Sequence, residues 1–308
     1  MSPESLLAHA IAGERRWLAR AITRLEERDA DVAAAAAALT VRRKEGPGAP
    51  HVLGITGPPG AGKSTVVDRW ITASRAKGER VAVIAVDPSS PFSGGAILGD
   101  RVRMERHTGD DGVYIRSLSS RGHLGGLSGS TARTVDLLDA AGFDRIIVET
   151  VGVGQSELGV MEIADTVTVV LTPESGDTVQ TMKAGLLEIA DVFVVNKADR
   201  PGAERLAREL ELSVHLDDRP WPAPVLVASA AENRGILELD EAVRKHLAWC
   251  LGDGRAVWER RRGDARVRAY LDLVAENARE RAARELTPEV EERLRSGAIP
   301  PEFLGVRL

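Results

Sequence analysis

Along the first forty residues the apolar positions return at helical spacing. Leu7, Ile11, Leu18, Ile22 and Leu25 fall at three- and four-residue multiples, which puts them on one face of a helical segment over residues 3–40. Ser2 before Pro3 supplies a cap and a first-turn residue, and the alanine run 33–38 has high helix propensity. The stretch RRKEGPGAP, residues 42–50, interrupts the pattern with two prolines and two glycines and marks a boundary. From 51 to about 250 the period changes. Six β-branched runs (HVLGIT, RVAVIAVD, RIIVET, TVTVVLT, DVFVVNK and PVLVAS) alternate with helical stretches. Several are apolar almost throughout, as parallel strands covered on both faces must be. The pattern predicts an α/β fold with a doubly wound, mainly parallel sheet, in which ligands bind at the carboxyl ends of the strands.

Beyond Gly252 the chain reads as helical and strongly charged. Val267, Tyr270, Leu271, Val274 and Ala278 form a narrow apolar stripe, Thr287 with Pro288 caps a further short helix, and Gly297 ends it. So thin a stripe makes a poor independent core. It either packs on the main domain or joins a second copy of the chain. The expected organisation is an N-terminal helical extension over 1–46, an α/β domain over 47–252 and a C-terminal helical arm over 253–308.

Composition narrows the setting. Hydrophobic residues at 43% and charged residues at 28% of 308 are the balance of a globular protein, which excludes disordered and collagen-like classes. A net charge of −5 argues against a general nucleic-acid binder. No apolar run reaches the roughly 18–20 residues that span a bilayer, and the N-terminus lacks the pattern of a signal peptide. The lone Cys250 forms no intramolecular disulfide, and no Cys/His cluster has zinc spacing. A reducing cytoplasm is the expected compartment. Of the basic residues 35 are Arg and only 6 are Lys, and two of those six fall in nucleotide motifs.

The first of these motifs is Gly57-Pro58-Pro59-Gly60-Ala61-Gly62-Lys63-Ser64, which fits G-x-x-x-x-G-K-[ST] and sits between a strand (51–56) and a helix (64–76). Glycines let successive backbone N–H groups converge on phosphate oxygens, and the helix N-terminus adds partial positive charge. Lys63 is placed to reach the β- and γ-phosphates and Ser64 to offer its hydroxyl to Mg²⁺, with Thr65 beside them.

Asn196-Lys197-Ala198-Asp199 follows the strand DVFVV. A carboxylate there can accept from the N1–H and exocyclic amine of guanine, whereas adenine offers no such pair and would leave it unpaired. GTP is therefore expected over ATP. Ser229-Ala230-Ala231, after the next strand, fits a loop whose backbone touches the guanine oxygen. Asp87 and Glu149 end strands at the same sheet edge, where carboxylates can orient the waters of a bound Mg²⁺. Glu149-Thr150-Val151-Gly152 has the acidic-x-x-Gly spacing in which the Gly152 N–H senses the γ-phosphate, and Asp100 is a third acidic candidate. A helix cap is the competing reading for Asp87 and Asp100. No residue is placed as an evident general base. Gln155 is a candidate for orienting water, and Arg101, Arg103 and Arg121 are candidate arginine fingers.

Taken together with DPSSPFSGGAILGDRVRM, RGHLGGLS, ETVGVGQSE and GDTVQTMKAGLLEIADVFVVNKAD, these motifs resemble the MeaB/ArgK family of P-loop GTPases over nearly the whole chain. The resemblance implies a chaperone of an adenosylcobalamin-dependent acyl-CoA mutase, of the methylmalonyl-CoA mutase type, that hydrolyses GTP with Mg²⁺ slowly alone and faster with its partner. It also implies a homodimer built through C-terminal arms. By position it assigns phosphate and Mg²⁺ to Lys63 and Ser64, magnesium and switch elements to Asp87, Asp100 and Glu149, and guanine to Asn196, Lys197 and Asp199. It assigns an extra switch loop to 172–183, with Asp177, Gln180 and Lys183 as polar contacts to the mutase. Arg101-Val102 departs from the family's more frequent Lys-Thr, keeping charge but losing a hydroxyl. None of the six histidines has Asp two residues before it, as cobalt-ligating D-x-H-x-x-G requires, so cobalamin is expected on the partner.

Four other readings stand beside this one, among them a small-molecule kinase, which would have a second pocket and consume GTP only when its substrate is present. A kinase or ATPase linked to amino-acid transport is opposed by the N-K-A-D element, and a nickel-inserting GTPase by the missing metal-ligand pattern. A non-hydrolysing regulatory module is opposed by the intact set of Lys63, Ser64 and Glu149.

Overall fold

The computed structural model describes residues 1–27, 29–43, 51–87, 106–107, 109–119, 129–150, 159, 163–175, 186–215 and 219–298. Its centre is a seven-stranded, all-parallel sheet: β1 (His51–Thr56), β2 (Val81–Asp87), β3 (Val113–Ser119), β4 (Arg145–Thr150), β5 (Thr166–Leu171), β6 (Val192–Val195) and β7 (Val225–Val227). The spatial order is β3-β2-β4-β1-β5-β6-β7. Chain direction across the sheet reverses at β1, so the crevice beyond its carboxyl end is the switch point where such folds bind ligands.

Both faces of the sheet are covered, and that is why its strands read as nearly unbroken apolar runs. In β6, Phe193 and Val195 belong to one buried cluster while Val192 and Val194 belong to the other. The first cluster takes in α1 (Pro3–Ile11), α2 (Arg15–Glu26), the start of α3 (Ala30–Arg43), α5 (Gly129–Ala140) and α7 (Ala203–His215). On the second face lie α4 (Lys63–Ala76) and α8 (Ile236–Leu251). A four-residue helix, α6 (Leu186–Ile189), leads into β6. Val66, Val67, Trp70 and Ile71 fix α4 to the sheet with no exposed surface. Each contributes about 1.5–3 kcal/mol by leaving water.

Two expectations are corrected. The N-terminal helical segment is three helices, not one. Gly13, at φ +88°, closes α1 in a left-handed turn that other residues adopt only under strain. Asp29 starts α3 by accepting from the Asp31 and Val32 N–H groups at 3.1 and 3.0 Å. The second correction is β3, VYIRSLS, which the apolar-run criterion passes over. It is an edge strand in register with β2 from Val81↔Val113 to Asp87↔Ser119. Having one neighbour, it tolerates Arg116 and Ser117, and Arg116 pairs with Glu26 of α2 at 2.7 Å.

The chain forms two compact units, Met1–Arg262 and Gly263–Leu308. The boundary falls inside α9 (Arg255–Glu285), which is followed by α10 (Pro288–Arg295). Thr287 caps α10 through the Val290 N–H, and Gly297 at φ +70° ends it. Along α9, Val267, Tyr270, Leu271 and Val274 are 45–65% exposed. Among the described residues no helix is long and apolar enough to cross a membrane.

Candidate nucleotide site

The loop between β1 and α4 is shaped by what its glycines allow. At Gly57, φ is +138° and a Cβ would lie 2.1 Å from the Val170 carbonyl oxygen, so no side chain fits between the loop and β5. At Gly62, φ is +87° and a Cβ would lie 2.5 Å from Asn196 Nδ2. That close approach is used: Asn196 Nδ2 donates to the Ala61 carbonyl at 2.9 Å. The buried Lys63 ammonium lies over the loop, donating to the Gly57 and Pro58 carbonyls at 2.7 and 3.2 Å. Lys63 and Ser64 open α4, whose first N–H groups and dipole favour an anion at this spot.

Ser64 faces β4. Its hydroxyl donates to Glu149 Oε1 at 2.8 Å, and Glu149 is 1% exposed. Register puts Glu149 beside Ile55 of β1 and Ala85 of β2, so the carboxylate sits directly under the loop. A buried hydroxyl and carboxylate are hard oxygen donors of the kind Mg²⁺ accepts when phosphates and waters complete its six positions. The donor set therefore fits that ion. Among the described residues no group of three or more His, Cys, Asp or Glu is placed to hold a metal by itself.

The other end of the site follows β6. The Asn196 N–H donates to the Leu171 carbonyl at 2.8 Å, and its Oδ1 accepts from the Ala230 N–H at 3.0 Å. One side chain thus ties the P-loop to the 229–231 loop. Lys197 adopts φ +58°, left-handed for a residue with a Cβ, and the turn is held by Ala198 N–H to the Ala228 carbonyl at 3.0 Å. The exposed Asp199 carboxylate accepts from the Ser229 hydroxyl at 2.8 Å. That bond, with its own backbone N–H and the nearby Arg200 and Arg234, keeps it below the usual carboxylate range. An open cleft of about 450 Å³ is lined by Gly62, Thr65, Asn196, Lys197, Asp199, Arg200, Ala230 and Ala231.

Of the residues singled out from sequence, the structure gathers Gly57, Gly60, Ala61, Gly62, Lys63, Ser64, Thr65 and Glu149 at one end. It gathers Asn196, Lys197, Asp199, Ser229, Ala230 and Ala231 at the other. Asp87 closes β2, but its side chain is outside the described residues. Asp100, Arg101, Val102, Arg103, Arg121, Gly152, Gln155, Asp177, Gln180 and Lys183 also lie outside them. One contributor went unread: Arg69 of α4, which donates to the Ala230 and Ala231 carbonyls at 3.0 and 3.3 Å. No motif marks an arginine six residues after the P-loop lysine. Only the fold brings it to a loop 161 residues further on.

The chain is similar to known proteins over most of its length. A model of the methylmalonyl-CoA mutase-associated GTPase MeaB matches residues 18–286. A probable GTPase of Mycobacterium tuberculosis is 41% identical over 314 residues, covering 98% of this chain and 93% of its own. The GTPase ArgK of Escherichia coli is 41% identical over 253 residues, 79% of this chain and 76% of its own. The mouse protein named methylmalonic aciduria type A homolog, mitochondrial, is 34% identical over 97% of this chain and 76% of its own. Among solved structures, one described as a LAO/AO transport system kinase superposes with a TM-score of 0.69 at 28% identity, covering 97% of this chain and 94% of its own. With a family match across most of its length, on a seven-stranded parallel sheet, the chain belongs to the family of MeaB, the methylmalonyl-CoA mutase-associated GTPases.

Proposed function

We propose that this protein binds GTP with Mg²⁺, hydrolyses it to GDP and phosphate, and uses the nucleotide state to act as chaperone of an adenosylcobalamin-dependent acyl-CoA mutase of the methylmalonyl-CoA type. In that role it gates cofactor loading and protects the mutase from inactivation. The observation that carries the nucleotide reading is Asn196, whose amide joins Ala61 of the P-loop to Ala230 of the base loop. It sets a phosphate grip and a base-reading carboxylate, Asp199, on one cleft.

Phosphoryl transfer asks a protein mainly for position and charge. The P-loop amides and the first turn of α4 hold the β- and γ-phosphates, and Lys63 turns its ammonium from the loop carbonyls to their oxygens. Asp199 accepts from the base, a pattern adenine cannot supply. Ser64 would hold Mg²⁺ directly and Glu149 through a water, with Asp87 and Asp100 as further carboxylates; the ion would neutralise phosphate charge. Slow turnover alone and stimulation by the mutase are the kinetics we expect, with Gln155 as candidate water-orienting group and Arg101, Arg103 and Arg121 as candidate arginine fingers, all outside the described residues. We assign γ-phosphate sensing to Gly152 and the relay to the mutase to residues 172–183, through Asp177, Gln180 and Lys183.

Cobalamin belongs to the partner in this reading, and the protein works in the cytoplasm as a homodimer. The exposed apolar stripe of α9 supports the dimer. Leu271→Asp would convert a dimer to monomer in sedimentation, whereas an unchanged mass would remove that stripe as the interface.

The deciding experiment is GTP hydrolysis by the purified protein, with and without a cobalamin-dependent mutase from the same cell, with Lys63→Ala as blank. Stimulation well above the basal rate supports the chaperone. GTP consumption only when a small acceptor molecule is added would make it a kinase instead.

A further inference from the structure

Resting on the guanine reading above, we propose that Arg69 is a positioning residue for base recognition, holding the Ala230–Ala231 peptide so that its N–H is presented to the 6-oxo oxygen of the base. A peptide unit is planar and trans, so its C=O and N–H point in opposite directions. Arg69 Nε donates to the Ala230 carbonyl at 3.0 Å, and that carbonyl shares its peptide unit with the Ala231 N–H. Fixing one end of the plane aims the other. The second arm of the guanidinium reaches the Ala231 carbonyl at 3.3 Å, so one planar fork holds two successive peptides.

The neighbouring donors are all spent. The Ala230 N–H goes to Asn196 Oδ1 at 3.0 Å, the Glu232 N–H to the Ser229 carbonyl at 3.1 Å and the Asn233 N–H to the Ala230 carbonyl at 3.2 Å. The Ala231 N–H has no acceptor among the described residues, and Ala231 lines the cleft beside Asp199. A fixed, unspent donor beside a carboxylate acceptor matches a base edge carrying a 6-oxo acceptor next to an N1–H donor. Adenine, with an amine at that position, would set donor against donor.

Arg69 also shares α4 with Lys63 and Ser64, six residues or roughly 9 Å along the helix. The helix that begins at the phosphate grip therefore also fixes the base loop.

The test compares GDP with 6-thioguanosine diphosphate, which keeps the N1–H and 2-amino group but carries sulfur, a poor acceptor, in place of the 6-oxo oxygen. Affinities are measured for the wild-type chain, Arg69→Ala and Arg69→Lys, with thermal melting of the nucleotide-free proteins to confirm folding. Arg69→Ala should weaken GDP about tenfold, the scale of one hydrogen bond, and change the thio analogue less than twofold. Arg69→Lys, with one ammonium in place of the fork, should fall between. Equal loss for both nucleotides would reduce Arg69 to a general structural role, and full restoration by lysine would reduce it to a charge; either overturns the proposal. A wild-type chain that binds GDP no better than ADP would fail the guanine reading itself, a separate result seen before any variant is made.

Discussion

Ser64 of the P-loop and Glu149 of β4, 85 residues apart in sequence, are joined by a 2.8 Å hydrogen bond within the buried floor of the nucleotide site. Glu149→Gln keeps the shape of this contact and removes its charge. Single-turnover hydrolysis of GTP should fall on the order of 10²-fold, the scale seen when one charge-organising group is lost. The fold should survive, since an amide still accepts from Ser64. Undiminished hydrolysis in the folded variant would take Glu149 out of the catalytic machinery.

Gly62 is the narrowest point between the two halves of the site. Gly62→Ala would force a Cβ to 2.5 Å from Asn196 Nδ2 at a φ of +87°. Either the P-loop shifts or the Asn196 bridge opens. The left-handed backbone alone costs an alanine roughly 1–2 kcal/mol. Binding of a fluorescent GDP analogue should drop at least tenfold while melting changes modestly, and unchanged affinity would mean the loop adapts without using that bridge.

At the opposite end of the sheet, Asp240 of α8 sits among cations. It contacts Arg145 at the start of β4 at 2.5 Å, Arg244 at 2.9 Å and Lys77, and it accepts from Trp70 Nε1 at 3.0 Å. Burial pushes its carboxyl up, but the surrounding Arg145, Arg244, Lys77 and Trp70 outweigh this and hold it below the usual range. Asp240→Asn leaves Arg145, 2% exposed, without its nearest counter-charge. Breaking a buried pair from one side costs about 3–5 kcal/mol, so the urea midpoint should fall sharply. A shift below about 1 kcal/mol would show that Glu79, 3.4 Å from Arg145, suffices.

Two buried histidines give stability a direction with pH. Thr166 Oγ1 lies 2.8 Å from His51 Nε2 and 2.7 Å from His246 Nδ1. The one hydroxyl proton can serve only one ring. Donation to His246 Nδ1 leaves the His246 Nε2–H facing Asp191 Oδ1 at 3.4 Å, and His51 then donates to Thr166. Burial is the main cause holding both rings below the ordinary 6.5, His51 by far the more, with Arg145 adding to it; for His246 the nearby Asp191 partly opposes the shift. The folded protein therefore resists protons that the unfolded chain takes up. Stability contributed by these neutral rings is full above pH 6.5 and is lost as pH falls below it, by up to about 1.4 kcal/mol per pH unit for each ring. His51→Gln should flatten the fall in urea midpoint between pH 7.5 and 5.5. A parallel fall in both proteins would place the acid sensitivity elsewhere.

The sequence by itself determined what local pattern can encode. A strand, a glycine-rich loop and a helix must lie in that order for residues 51–76, because glycine, lysine and serine at that spacing need the loop to wrap and the helix to follow. Runs apolar on both faces implied a sheet covered on both sides, and the two buried clusters divide single strands such as β6 between them. Ser2 and Thr287 announce their helices because a cap is a contact three residues long. Pattern failed where a strand had only one neighbour to satisfy, as in β3, and where a single glycine or aspartate broke a long helical period, as at Gly13 and Asp29.

Only the tertiary structure decided which distant atoms meet. Strand order puts β1 between β4 and β5, and this brings Glu149 under Ser64 and Val170 against Gly57. The junction of Gly62, Asn196 and Ala230 spans more than 160 residues, and the reach of Arg69 to Ala230 is as long. Such pairings carry no periodic signal, because they are fixed by the packing of α4 on the sheet rather than by neighbours along the chain.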